Sequence, residues 1–339
     1  MTYTDFCTEV LPRETSREEW LRVRRQGIGG SDCSGVMGMS PKYASPYTVW
    51  EDKTGRAPED EESEAALWGN LLEPVIRAEA MRRLGLDFTL PGTLRSLERP
   101  WQQANLDGLA SDGGIIECKN TSSWMAADWD GQVPDHAELQ TMHNMAVTGA
   151  PHAWVAGLVG GNRLRLARVE RDEELIALII AEEHQLWHEH VLTDTPPPAD
   201  PSEATRAALL RRYPIEDRPI ALDDPETAVQ AVELAAAWAR GREIETAGQS
   251  MKRQAENGMR LLMGGATRAT VAGKVVARIS GGTWASKKFE DAEPALAAEY
   301  RTKVDVIDSK ALRASRPEVW RRYQAQVFKA FPLTIDQEG

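Results

Sequence analysis

The segment from Asn105 to Asn120, NLDGLASDGGIIECKN, constrains the fold of this chain more than any other. Asp112-Gly113-Gly114 is hairpin-turn chemistry, because the glycines supply positive φ without steric cost. Leu106-Asp107-Gly108 ends one predicted strand and opens a turn, and Ile115 to Lys119 reads as the next strand. Alternation puts Ile115, Glu117 and Lys119 on one face and Ile116 and Cys118 on the other. A hairpin carries Asp107 back beside Glu117 and Lys119. Two acids and a lysine at a strand end form a hard-oxygen metal site with a cation beside it. Carboxylates hold Mg²⁺ or Mn²⁺, the metal lowers the pKa of a bound water, and the lysine orients or activates that water. Such a site suits phosphodiester hydrolysis. The plainer alternative is a surface hairpin with an i,i+2 ion pair, and the spacing alone leaves the two equally open.

With 339 residues the chain holds one large or two modest domains and can bury a full core without disulfides. Cys7, Cys33 and Cys118 are scattered without CxxC spacing. That argues against a zinc site or a four-thiolate cluster and fits a reducing cytoplasm. No signal peptide and no apolar run of bilayer-spanning length is expected. A net charge of −12 argues against a surface coated in nucleic-acid contacts but allows a local basic groove. Arg22, Arg24 and Arg25, and Arg313, Arg316, Arg321 and Arg322, are the candidate clusters; charge alone favours solvated helix faces.

Ser16 and Glu19 form a capping box that starts a helix through about Arg25. Gly27 to Asp32 is a glycine-rich turn into a second helix, Cys33 to Met37. Its backbone amides, the Ser31 hydroxyl and a nearby arginine make a phosphate seat, or else the turn is a tight helix–helix connection capped by Ser31 or Asp32. GIGG matches neither GxGxxG nor GxxxxGK[ST], and no strand is expected before it, which argues against a nucleotide site. A helix is predicted to start at Ser45-Pro46 and another to run from about Ser63 to Leu84, burying Leu67, Leu71, Val75 and Ile76. Glu73 lies in this apolar stripe and needs a partner, either a metal ion or an arginine, unless it sits at the stripe's edge.

Phe88 to Leu97 reads as one strand or a pair, and Trp124 to Gly131 as a loop or short helix. Ala137 to Thr148 is a helix with Leu139, Met142, Met145 and Ala146 as its apolar face; it also carries Gln140 and His143. Strands follow at His152 to Val159 and Leu164 to Val169. Asp172 to Leu192 is a long helix on which His184 and His188 share a face, better read as surface than as metal ligands. The proline run at 196–198 is the expected boundary: a nuclease-type domain over residues 1–194, a linker over 195–201 and a C-terminal helical and hairpin region over 202–339. Beyond it lie a short helix (202–212), a helical stretch from Pro225 to about Gly264 with possible breaks at Gly241 and Gly248, and a hairpin turning at Gly273-Lys274. A last helix is expected at 317–326 and a last strand near 328–335.

Asp107…Glu117-Cys118-Lys119 resembles the PD-(D/E)xK nuclease signature. Four segments in order, RRQGIGGSDCSGVMGMS, WGNLLEPVI, NLDG…GGIIECKN and QVPDHAELQTMHNMAVTG, resemble the YqaJ-like viral recombinase family, the group that includes lambda exonuclease. DSKALRASRPEVWRRY resembles the family's C-terminal segment more weakly. The resemblance implies an α/β (α+β) restriction-endonuclease-like core, a central mixed sheet flanked by helices, with a two-metal site at the sheet edge. It makes Glu73, Asp107 and Glu117 carboxylate ligands of Mg²⁺ or Mn²⁺, with the Cys118 carbonyl beside them. Lys119 becomes the water-positioning lysine and Gln140 the glutamine of the following helix. The family's QxQ pair reads Gln140-Thr141-Met142 here. Arg24 and Ser31 match positions that hold a terminal 5′-phosphate. The implied activity is 5′→3′ exonucleolysis of double-stranded DNA, leaving 3′ single strands for a single-strand annealing partner in phage-type recombination. A ring-shaped homotrimer is implied as well. Alternatives are an endonuclease of the same fold in DNA defence and a DNA-end binding module.

Overall fold

The protein is described by a computed structural model covering residues 3–58, 63–214, 216 and 218–279, with a few positions between 291 and 317. The chain divides into two compact units, Met1–Glu216 and Asp217–Gly339.

The first unit starts with β1 (Cys7–Leu11) and α1 (Arg17–Arg24), the latter capped by Ser16, whose hydroxyl accepts the Glu19 amide at 3.2 Å. A two-residue strand, β2 (Ile28–Gly29), precedes α2 (Gly30–Val36), so the glycine-rich turn does follow a strand, contrary to expectation. Two residues are too few to show periodicity; pairing with a distant strand creates this one. Next come α3 (Pro46–Lys53), α4 (Glu64–Leu84), β3 (Phe88–Thr89), β4 (Thr93–Ser96), β5 (Gln102–Asn105), β6 (Gly108–Ala110) and β7 (Ile115–Thr121). A 3₁₀ turn spans Ser123–Trp129, followed by α5 (Asp135–Thr148), β8 (His152–Val159), β9 (Arg163–Glu170), α6 (Glu173–Gln185) with a π-helical extension over Leu186–Val191, and α7 (Glu203–Arg212).

The strands form two sheets, ordered β1-β4-β5-β2 and β3-β6-β7-β8-β9. The segment 88–97 is a pair of strands, but its halves belong to different sheets. β7 and β8 are parallel, and the connection between them carries α5. The hairpin turn forms as read: Gly113 has φ 89°, and Asp112 accepts the Gly114 amide at 3.0 Å.

Alternation along β7 sorts the core. Ile115 belongs to the cluster with α5, which also reaches Leu94 and Ala104 of the first sheet. Ile116 and Cys118 belong to the cluster with α4. Each large apolar side chain buried there contributes about 1.5–3 kcal/mol. On α4 the buried residues are Ile76, Ala80, Met81 and Arg77. The expected burial of Leu67, Leu71 and Val75 is wrong, since all three are exposed. The run from Ala65 to Ile76 is apolar nearly all round, so periodicity could not choose the buried face.

The first unit continues past the proline run. Ala204, Thr205 and Ala208 of α7 are buried, and the Thr205 hydroxyl donates to Ser45 at 2.8 Å at the start of α3. A proline break therefore interrupts the secondary structure, not the packing, and the compact unit extends to Glu216.

The second unit has α8 (Pro225–Met263) and a hairpin of β10 (Arg268–Val271) and β11 (Lys274–Arg278). α8 runs unbroken through Gly241 and Gly248. The penalty of about 1 kcal/mol per helical glycine is small beside the rest of a 39-residue helix. The helix and strand expected at 317–326 and 328–335, and Arg313, Arg316, Arg321 and Arg322, lie outside the described residues, as does nearly all of the weaker C-terminal match. Among the described residues no helix is long and apolar enough to cross a membrane.

Candidate active site

Asp107 occupies the link between β5 and β6, where the chain passes from one sheet to the other. Its side chain turns onto β7, and Oδ2 accepts the Cys118 amide at 2.6 Å. Glu117 and Lys119 share one face of that strand. Glu117 Oε1 lies 2.6 Å from Lys119 Nζ, and Nζ also donates to Gln140 Oε1 of α5 at 2.7 Å. Glu73 reaches the same place from α4. Its Oε1 accepts from Arg77 at 2.6 Å and from Arg13 at 3.3 Å. The same Arg77 nitrogen donates to the Asp107 carbonyl at 2.8 Å, tying α4 to the β5–β6 link. Glu73 thus meets the arginine alternative and still joins the carboxylate cluster.

Sequence reasoning missed Arg77 and Arg13. Arg77 lies one turn beyond Glu73, a spacing that itself signals an ion pair. Arg13, 60 residues away, carries no such signal.

The electrostatics show a site short of positive charge. Asp107 is pushed well above the usual carboxylate range, first by burial, then by the charges of Glu117 and Glu73. Glu117 is 2% exposed, and burial raises it too, against the pull of Lys119. Its Oε2 is buried with no hydrogen-bond partner among the described residues. An orphaned carboxylate oxygen costs free energy that a bound cation would recover. The donors are carboxylate oxygens, the set preferred by Mg²⁺ and Mn²⁺. The residues present therefore fit a divalent metal. Burial works against the charge on Lys119, but Glu117 and then Asp107 outweigh it and raise the lysine pKa. The amine is held as a cation.

Ser31 lies beside α5, the helix that carries Gln140, and Arg24 ends α1. Ser31 is exposed in the first turn of α2. Arg24 donates to Asp32 at 2.6 Å and to Asp52 at 2.7 Å. Buried Lys53 lies 2.5 Å from Asp32. Gly30 explains the proximity: a Cβ there would come within 2.5 Å of Asn144 and 3.1 Å of Gln140. Only glycine lets α2 approach α5 that closely, one residue before Ser31. Of the two positions in Gln140-Thr141-Met142, Gln140 faces Lys119 while Met142 is buried in the core.

A second cluster, Cys33, His143 and Glu183, brings potential ligand atoms within 4.8 Å of one another, although the cysteine spacing gave no hint of it. His143 contacts Glu183 at 2.7 Å and the Gln103 carbonyl at 2.8 Å, and Gln102 donates to Glu183 at 2.6 Å. Burial and the neighbouring Glu183 hold the Cys33 thiol protonated. This is a self-satisfied polar network. His184 and His188 stack on each other at 4.0 Å between ring centroids, with Trp101 at their edges.

Comparison with known proteins places the chain. Solved structures similar to it include two exonucleases. The alkaline exonuclease of Laribacter hongkongensis is 24% identical, with 52% of this chain and 93% of that one covered and a TM-score of 0.45. A phage-related exonuclease of Haemophilus somnus 129PT is 12% identical, with 52% and 100% covered and a TM-score of 0.39. The protein YqaJ of Bacillus subtilis (strain 168) is 38% identical over 223 residues, 63% of this chain and 70% of its own length. Residues 19–151, which carry Glu73, Asp107, Glu117, Lys119 and Gln140, match the YqaJ-like viral recombinase domain, and the chain belongs to that family.

Proposed function

We propose that this chain is a Mg²⁺-dependent exonuclease that degrades double-stranded DNA from 5′ ends and leaves 3′ single strands for recombination. The observation that carries the reading is the convergence of Glu73, Asp107 and Glu117 on a point where Lys119 and Gln140 meet and one Glu117 oxygen is left unsatisfied.

Glu73, Asp107 and Glu117, with the Cys118 carbonyl, would hold one or two divalent cations, which supply a nucleophilic water at neutral pH and charge stabilisation on the phosphate oxygens. Lys119 keeps its proton beside Glu117 and is therefore an electrostatic and orienting group. Gln140 anchors its amine. The Cys118 amide fixes the Asp107 carboxylate, and Arg77 fixes the backbone behind it.

Arg24 and Ser31 form the seat for the terminal 5′-phosphate. Asp32 and Asp52 orient the guanidinium, and a charge-assisted contact to phosphate is stronger than a neutral one. The Gly30–Gln140 approach brings the Ser31 end of this seat beside the helix that anchors Lys119, which supports a fixed register between the 5′ end and the cut. A ring-shaped homotrimer and a single-strand annealing partner complete the proposal. A ring reconciles DNA binding with a net charge of −12, since only the channel need be basic.

Digestion in Mg²⁺ of one plasmid, closed circular and linearised with 5′-phosphate ends, tests this reading. Loss of the linear form alone, with 3′ single strands accumulating, is expected. Cutting of the circle would replace it with an endonuclease. Binding of DNA without digestion of either form would leave an end-binding module.

A further inference from the structure

Strand register places one arginine in line with Lys119 and a second in the next row on the same face. Lys119 of β7 pairs with Gly157 of β8, and Gly157 pairs with Arg165 of β9. Paired residues project from the same face, so Arg165 stands on the active-site face two strands from Lys119, about 9.5 Å away across the sheet. The next row on that face is Thr121, Val159 and Arg163. Towards the other end, the same face of β9 continues with Ala167 and Val169, and Val169 packs in the core with α5. Along β9 this face changes from buried Val169 to exposed Arg165 and Arg163, while Val159 of β8 beside Arg163 stays in the apolar core.

Arg163 and Arg165 are exposed and have no ion-pair partner among the described residues. Arg168, on the opposite face of β9, differs: it pairs with Glu170 and lies over Trp154.

The 3₁₀ turn Ser123–Trp129 adds an aromatic group. Trp129 is buried and lies over Gly157, where a Cβ would come within 2.4 Å of its ring. Ser123 lies against Gly160 in the β8–β9 turn. Pinned at both ends, the turn displays Trp124 at 92% exposure, the highest among the exposed large hydrophobic residues, beside the turn that leads into Arg163. An exposed aromatic ring on a held turn, next to arginines without ion-pair partners among the described residues, is a combination that binds a nucleic-acid strand, by stacking on a base and pairing with phosphates.

We propose that Arg163, Arg165 and Trp124 form a second DNA contact that holds the strand on the active-site face of the sheet next to Lys119. This deepens the nuclease reading and rests on it. DNA is favoured over a protein partner because Arg165 continues the row of Lys119 and Arg163 follows in the next row on the same face.

The test is fluorescence anisotropy of a labelled 5′-phosphorylated duplex over a KCl series, in EDTA to prevent cutting. Each phosphate contact contributes about 0.9 to the slope of log K against log salt. Arg163→Ala/Arg165→Ala is expected to lower the slope by about 1.8 and Arg168→Ala to leave it unchanged. Trp124→Ala is expected to weaken binding about tenfold with little change in slope. Hydrolysis of thymidine 5′-(p-nitrophenyl phosphate) in Mg²⁺, a substrate too short to reach β9, should stay at the wild-type level in all three variants. An unchanged slope in the double variant overturns the proposal. So does a change in solution mass by light scattering without a change in slope, which would make the surface a contact between copies. A wild type that hydrolyses nothing fails the nuclease reading, whatever the salt series gives, and a wild type that binds no duplex overturns both.

Discussion

Glu117 and Lys119 form a 2.6 Å ion pair that uses only one oxygen of the buried glutamate. The other oxygen has no partner among the described residues, and Asp107 nearby is forced towards its neutral form by burial and by two carboxylate neighbours. A core built for stability alone would not collect three acids at this point. A bound cation would offset the repulsion among Glu73, Asp107 and Glu117 and satisfy the free Glu117 oxygen, which supports the proposed metal site.

Asp107→Asn keeps an acceptor for the Cys118 amide and removes one of the repelling charges. The variant should melt a few degrees higher than wild type in EDTA, about 1 kcal/mol, while nuclease activity falls by about 10²-fold or more. Mg²⁺ should raise the melting temperature of wild type, by about 2.7 kcal/mol of stability at 100 times its dissociation constant, and raise that of the variant much less. Scanning calorimetry with and without Mg²⁺ checks both. A wild type indifferent to Mg²⁺ would remove the metal from this site.

Gly30→Ala places a methyl group 2.5 Å from Asn144 Oδ1 and 3.1 Å from Gln140. Both neighbours lie on a packed helix, so α2 must move away from α5. A loss of about 1–3 kcal/mol is expected in urea denaturation. Activity should fall further than Gly35→Ala produces, because only Gly30 bears on the Gln140 that holds Lys119. Equal activity in the two variants would separate the α2–α5 contact from the site.

How much of this was legible in the sequence depended on whether the information was local. The hairpin around Gly113, the Ser16 cap and the apolar face of α5 each lie within a few residues, and each formed, although the Glu19 carboxylate accepts from Thr15 and leaves the capping box half made. Asp107 beside Glu117 was legible because a turn enforces it. Glu73 could be assigned only through the family resemblance, since its stripe fits an arginine partner as well as a metal, and it has the arginine too. The buried face of α4 was misread because apolar residues surround the helix. The reach of the first unit to Glu216 was hidden by a proline run that breaks the helix without breaking the packing. The row from Lys119 to Arg165 required the register of three strands, which no spacing within one strand contains.

Asp32 gives an acid-side prediction. Burial works to raise its pKa, but Lys53 and Arg24, with hydrogen bonds from Lys53 and the Gly29 amide, bring it down to about 2. A lowered folded-state pKa stabilises the protein above the unfolded value of 3.8, and that contribution, about 2 kcal/mol, is lost as pH falls through about 2. Asp32→Asn should remove that part of the acid dependence. It should also cost about 3–5 kcal/mol at neutral pH, because Lys53 is left buried without its closest counter-charge. Urea midpoints from pH 2 to 7 measure both. An unchanged acid limb would assign it to other carboxylates.

His143 gives the opposite sign on the alkaline side. Its two ring nitrogens face acceptors, Glu183 at 2.7 Å and the Gln103 carbonyl at 2.8 Å. Glu183 also accepts from Gln102. The pair keeps a proton that an isolated histidine would release. Burial lowers the pKa of His143, but the charge and hydrogen bond of Glu183 raise it more, so the folded value lies above 6.5. A raised folded-state pKa gives stability that is complete below about 6.5 and disappears as pH rises through the folded value. Wild type should therefore lose stability on the alkaline side of neutrality. His143→Gln should lack that decline and be less stable throughout, by about 3–5 kcal/mol, because Glu183 then stays buried without its cation. Urea denaturation from pH 5.5 to 9 separates the cases: parallel curves for the two proteins would show that another group sets the alkaline limb.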